Sequence, residues 1–126
     1  MKRFAHTLDL RNDLALSAEY KRYHRLEIVW PEVIAHIRSQ GILSEQIYLL
    51  GTRMFMILET SDDFLFSAKD KNDRASPAMQ QWEDVMPQFQ QILPEAIAGE
   101  RWILMENIFD MPPLQLTCCL TRLSRH

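Results

Sequence analysis

Apolar and polar positions alternate from residue 3 to residue 10, with Phe4, His6, Leu8 and Leu10 on one side and Ala5, Thr7 and Asp9 on the other. A period of two marks a strand buried on one face, so a first strand is predicted here. The period then lengthens. Leu16, Tyr20 and His24 recur every fourth residue behind Asn12 and Asp13, either of which can cap a short helix running to about Tyr23. Pro31 suits the first turn of a second helix, whose stripe of Trp30, Val33, Ile34 and Ile37 ends at Gly41.

"EQIYLLGTRMFMILET" is two apolar runs split by Gly51 and Thr52, the pattern of an antiparallel hairpin. Ser61 and the two aspartates after it offer an N-cap for a helix through Phe64, Leu65 and Ala68. Ser76 and Pro77 restart a helix striped by Trp82, Val85, Met86 and Phe89, which Pro87 kinks or ends. Residues 91–100 read as a loop, and "RWILMENIF" alternates again as a last strand. The order is βαββαβ with each helix broken in two: an α+β fold with a ferredoxin-like antiparallel sheet and helices on one face. The other face, carrying residues such as Leu8, Met56 or Met105 according to register, is too apolar for water, which predicts a homodimer paired through the sheets. Residues 1–110 make the domain, and 111–126 form a C-terminal extension with no clear period.

Composition narrows the function. A chain of 126 residues, 47% hydrophobic and 25% charged, has the proportions of one globular domain. Its net charge of −3 is spread in mixed signs, without the basic stripe a phosphate backbone requires, so nucleic acid is not expected as a partner. No stretch approaches the ~20 apolar residues of a membrane span, and the first ten residues read as a strand rather than a signal peptide. Cys118 and Cys119 are adjacent and alone, which suits neither a disulfide framework nor a zinc site. A cytoplasmic protein is expected.

His24 is the sharpest chemical candidate, because a neutral imidazole can give and take protons near neutral pH; its bland alternative is a solvated histidine at a helix end. Tyr20, one turn earlier, can converge with it on one small ligand. His6 is expected in the core, His36 on the polar side of its helix, and His126 is terminal. Trp30 and Tyr23 read as packing residues and Trp102 as core or dimer interface, whereas Trp82 could also offer a flat apolar face to a sugar. Glu32 is explained by the helix dipole. Glu45 matters only if it points into the same pocket. GxGxxG, P-loop, HExxH and GxSxG motifs are absent.

"EYKRYH", "VWPEV", the Gly41 that ends the helix, "IYLLGTRMFMILE", "QWEDVM" and "ENIF" together resemble the L-rhamnose mutarotase family, over about residues 2–109. The resemblance implies a dimeric α/β barrel of ferredoxin-like halves, no metal or organic cofactor, and a free monosaccharide as substrate, L-rhamnose or L-fucose. It implies that His24 is the proton donor, with Tyr20 and Trp82 contacting the sugar. Three departures accompany it. The "RLEIV" between His24 and Trp30 is longer than the family's usual spacing, Glu45 stands where a substrate-binding tyrosine is usual, and Gln81 precedes Trp82 where tryptophans are paired. The expected activity is exchange of α and β anomers by acid and base ring opening, the partner of His24 being Tyr20, Glu32, Glu45 or a water. A non-catalytic ligand-binding module and a cofactor-free monooxygenase-like protein of the same fold are the alternatives.

Overall fold

The computed structural model describes residues 1–114, so Cys118, Cys119, His126 and most of the predicted extension lie outside the described residues. β1 (Lys2–Leu10) is followed by α1 (Leu14–Tyr23) and α2 (Pro31–Ser39), then by the hairpin β2 (Ile42–Leu50) and β3 (Arg53–Thr60). α3 (Phe66–Ala75) and α4 (Pro77–Val85) come next, then a 3₁₀ turn at Met86–Phe89 and two short strands, β4 (Gln90–Gln91) and β5 (Ile103–Leu104). The sheet runs β2-β3-β1-β4, with β5 also pairing β1, and every pairing is antiparallel. This is the predicted ferredoxin-like topology, its fourth strand supplied in two pieces.

Local chemistry sets most of the boundaries. The Asp13 carboxylate accepts from Leu16 N–H and starts α1, and the Ser76 hydroxyl accepts from Met79 N–H and starts α4. Pro31 and Pro77 occupy first-turn positions where a missing N–H is harmless. After α2 the chain reverses at Gly41, whose φ of +86° few L side chains adopt and whose Cα faces the Ser61 hydroxyl so closely that a Cβ would sit 2.5 Å from Oγ. Ser61 does not cap a helix as predicted: its hydroxyl donates to Asp63 at 2.6 Å within a turn, Phe64 enters the core, and α3 begins at Phe66.

The helices cover the sheet face that carries His6, Leu8, Leu10, Met54, Met56 and Leu58. Leu8 is wholly buried and Met56 nearly so; both face the helices, which corrects their assignment to the open side. Strand alternation instead puts Ala5, Phe55, Ile57, Tyr48, Ile103 and Met105 on the open face. Trp102 packs under the helices against both core clusters, so it belongs to the core. The last strand is shorter than its alternation suggested, because after the bond from Met105 N–H to the Ala5 carbonyl the chain leaves β1. Conversely, Gln91 at the start of the expected loop is part of β4, paired with Asp9.

Candidate active site

Helical spacing brings the predicted residues together. Tyr20 lies on the inner side of α1, 5% exposed, against Leu8, Leu10, Met54 and Phe89. His24 follows one turn later, and the two rings stand 4.3 Å apart between centroids. Trp82 arrives from α4 with its ring 5.3 Å from the imidazole, edge to face, and Trp30 meets Trp82 at 5.2 Å. The residues between His24 and Trp30 form a loop closed by bonds from Ile28 and Val29 N–H to the Arg25 carbonyl. The extra length is thus absorbed outside the helices, and Trp30 at the start of α2 still reaches the cluster.

Which imidazole nitrogen carries hydrogen follows from its partner. Nδ1 of His24 lies 2.8 Å from the Tyr20 carbonyl oxygen. A carbonyl only accepts, so Nδ1 donates, and in the neutral ring Nε2 keeps its lone pair. Burial lowers the His24 pKa below its ordinary value, with the bond to Tyr20 pulling the other way. The ring is therefore neutral at pH 7 and its free nitrogen is a base.

The Tyr20 phenol is held protonated. Burial is the main cause of a pKa pushed up to about 12; a hydrogen bond from Gln90 opposes it, the negative charge of Glu45 reinforces it, and Arg101 opposes it. Gln90 Nε2–H donates to the phenol oxygen at 3.4 Å, and Arg101 Nε–H donates to Gln90 Oε1 at 2.9 Å. Gln90 and Arg101 were not among the predicted site residues. Nothing local marks a glutamine in a chain, and its place depends on β4 pairing with Leu10.

Glu45 stands on β2 opposite Leu58, on the helix-covered side of the sheet. The residue is exposed as a whole, yet burial of its carboxyl group raises its pKa, with the Lys69 ammonium opposing and Asp73 reinforcing the rise. Its negative charge is among those that act on the Tyr20 phenol. Glu32 is exposed on α2 and joins no part of the cluster.

His36, expected on a polar surface, is half-buried and donates from Nε2 to Asp73 at 2.8 Å. Asp73 is 5% exposed and also accepts from Gln40 at 3.0 Å and from Lys69 at 2.6 Å, tying α2 to α3. Two open recesses lie apart from the aromatic cluster. One of about 440 Å³ runs between Gln40, Gly41, Ser61 and Lys69; the other, of about 370 Å³, runs along Ile92 and Ile97 to Arg101. Neither is lined by His24 or Trp82, so the candidate chemistry rests on side-chain convergence and not on the volume of a recess. Among the described residues no three His, Cys, Asp or Glu side chains gather as a metal site requires, and no helix is long and apolar enough to cross a membrane.

Known proteins resemble this chain in sequence and in fold. An L-fucose mutarotase of Xanthomonas campestris is 39% identical over 111 residues, covering 88% of this chain and 89% of its own. A Dictyostelium discoideum protein is likewise 39% identical, over 114 residues and 87% of this chain and 90% of its own. Among solved structures, an L-rhamnose mutarotase from Formosa agariphila superposes with a TM-score of 0.65 at 20% identity, over 89% of this chain and all of that one. Tetracenomycin F2 cyclase from Streptomyces glaucescens shares the fold, with a TM-score of 0.57 at 15% identity over 90% of this chain and all of that one. The family model for L-rhamnose mutarotase matches residues 3–111, from the first strand to beyond the last, and the chain belongs to that family.

Proposed function

We propose that this protein exchanges the α and β anomers of a free 6-deoxyhexose, L-fucose or L-rhamnose, with His24 moving the proton. Membership of the family makes it a sugar mutarotase, a carbohydrate isomerase. The observation that carries the residue assignment is the convergence of Tyr20, His24 and Trp82, with Nδ1 of His24 tied to a carbonyl and Nε2 free. L-Fucose is favoured by the 39% identity to an enzyme of that name and by Glu45 at the position where a substrate-binding tyrosine is usual.

In ring opening, neutral Nε2 takes the proton of the anomeric hydroxyl while the bond from C1 to the ring oxygen breaks and that oxygen gains a proton. The C1 aldehyde turns about the C1–C2 bond and the ring recloses, the imidazolium now returning its proton, so one group serves as base and then acid. The Tyr20 phenol and the Glu45 carboxyl are the two candidates for the proton at the ring oxygen. Such positioned proton transfer contributes about 10²–10⁴-fold. Trp82 supplies a flat apolar face for the C–H side of the sugar.

We also infer that two copies pair through the open sheet face, a reading supported by the exposure of Tyr48 and Met105 beside half-buried Phe55 and Ile57. The test of the activity is selective-inversion NMR on the anomeric protons of each sugar. Wild-type protein should speed exchange well above the buffer rate, and a folded His24→Ala protein should lose most of that gain. Undiminished exchange in His24→Ala would remove the assignment.

A further inference from the structure

Arg101 can only donate, so its bond to Gln90 Oε1 fixes which way a buried amide points. Gln90 is 4% exposed, beyond the reach of bulk water. With its oxygen committed to Arg101, the amide nitrogen must face Tyr20, and its N–H meets the phenol oxygen. Turned over, the same amide would present its oxygen to the phenol and accept the O–H, holding that hydrogen away from any sugar. We propose that Arg101 is a positioning residue for anomer exchange: through Gln90 it obliges the Tyr20 oxygen to accept, and so leaves the phenolic hydrogen free to be donated to the substrate. The inference rests on the reading of Tyr20 as a sugar-contacting group.

The loop that delivers Arg101 is built to hold it. Ala96 N–H bonds to the Leu93 carbonyl at 3.1 Å and Glu100 N–H to the Ile97 carbonyl at 3.0 Å, while the Glu100 carboxylate accepts from Ile97 N–H at 3.3 Å. Gly99, at a φ of +83°, makes the reversal just before Arg101. The orientation of an amide inside the protein is thereby set by a loop on its surface, where the recess along Ile92 and Ile97 begins.

A double-mutant cycle on the exchange rate of L-fucose anomers, with L-rhamnose in parallel, tests the proposal. Tyr20→Phe and Arg101→Met should each slow exchange by roughly five- to thirtyfold. The double variant should be no slower than Tyr20→Phe alone, because both remove the same donated hydrogen. Arg101→Lys should recover part of the rate, since an ammonium also donates to Oε1. In protein labelled at the tyrosine ¹³Cζ, the Tyr20 resonance should move in Arg101→Met and move back in Arg101→Lys, a change that loss of packing alone would not produce.

Gln90→Glu gives an independent arm. A carboxylate keeps Arg101 paired but can only accept from the phenol, so exchange should fall as far as in Tyr20→Phe. Wild-type exchange in Gln90→Glu, additive losses in the double variant, or unchanged exchange in Arg101→Met beside a slow Tyr20→Phe would each overturn the proposal. Wild-type exchange in Tyr20→Phe would instead remove the reading of Tyr20 on which it rests.

Discussion

His24 and Tyr20 touch twice: their rings lie 4.3 Å apart at 33°, and Nδ1 of the imidazole donates to the Tyr20 carbonyl at 2.8 Å. One residue therefore both shields the imidazole from water and fixes its tautomer. The ring contact and burial favour the neutral form, and the hydrogen bond decides that the lone pair sits on Nε2.

The exchange rate should accordingly fall as pH drops through a pKa below 6.5, because burial lowers that of His24. No alkaline limb from Tyr20 should appear below about pH 11, given a phenol pKa of about 12. NMR exchange rates from pH 4.5 to 9, corrected for the buffer, check this. An acid limb centred above 7, or a flat profile in folded protein, contradicts it.

Stability should follow pH in the same sense. The buried His6 and the half-buried His24 both have lowered pKa values, so below 6.5 the unfolded chain binds protons that the folded one does not, and stability declines as pH falls through that window. Asp73, whose pKa is lowered, adds a further loss only below its ordinary value of 3.8. Urea midpoints at pH 7.5 and 5.5 should differ, the lower belonging to pH 5.5, and His6→Gln should reduce the difference.

Asp73→Ala should destabilise the fold by about 3 kcal/mol, because it strands donors on His36, Gln40 and Lys69 in a site that is largely closed to water. Urea denaturation measures it. A loss under about 1 kcal/mol would mean that water replaces the carboxylate without difficulty.

Gly41→Ala should cost about 1–3 kcal/mol, from the strain of a positive φ together with the clash with Ser61 Oγ. Ser61→Gly in the same background removes the clash and leaves the strain, so it should restore only part of the midpoint. Full restoration would assign the whole effect to crowding.

Light scattering at micromolar concentration should give twice the mass of one chain. Ile57→Glu, which puts a charge in the middle of the open sheet face, should give the mass of one. A monodisperse wild-type monomer would end the pairing proposal.

What could be read from sequence was what neighbours in the chain decide. Asp13, Pro31 and Ser76 act within one helical turn, Gly51 within one hairpin, and Tyr20, His24 and Trp82 meet because two helical stripes face the same sheet. One misreading was local: Ser61 had an aspartate two residues away to bond instead of a helix to cap. The others needed distant information. His36 is drawn inward by Asp73, thirty-seven positions along. Gln90 became significant only when Arg101 and Tyr20 closed on it from two other elements.

The last turn of α1 carries a conflict between sturdiness and use. His24 N–H turns to the Lys21 carbonyl at 3.2 Å instead of continuing the α-helical ladder, and this leaves the Tyr20 carbonyl to the imidazole. A sequence that prolonged the helix would hand that carbonyl to the backbone and set the ring loose. Variants at residues 25 to 27 selected only for heat resistance should therefore drift toward a longer, firmer helix and a slower enzyme.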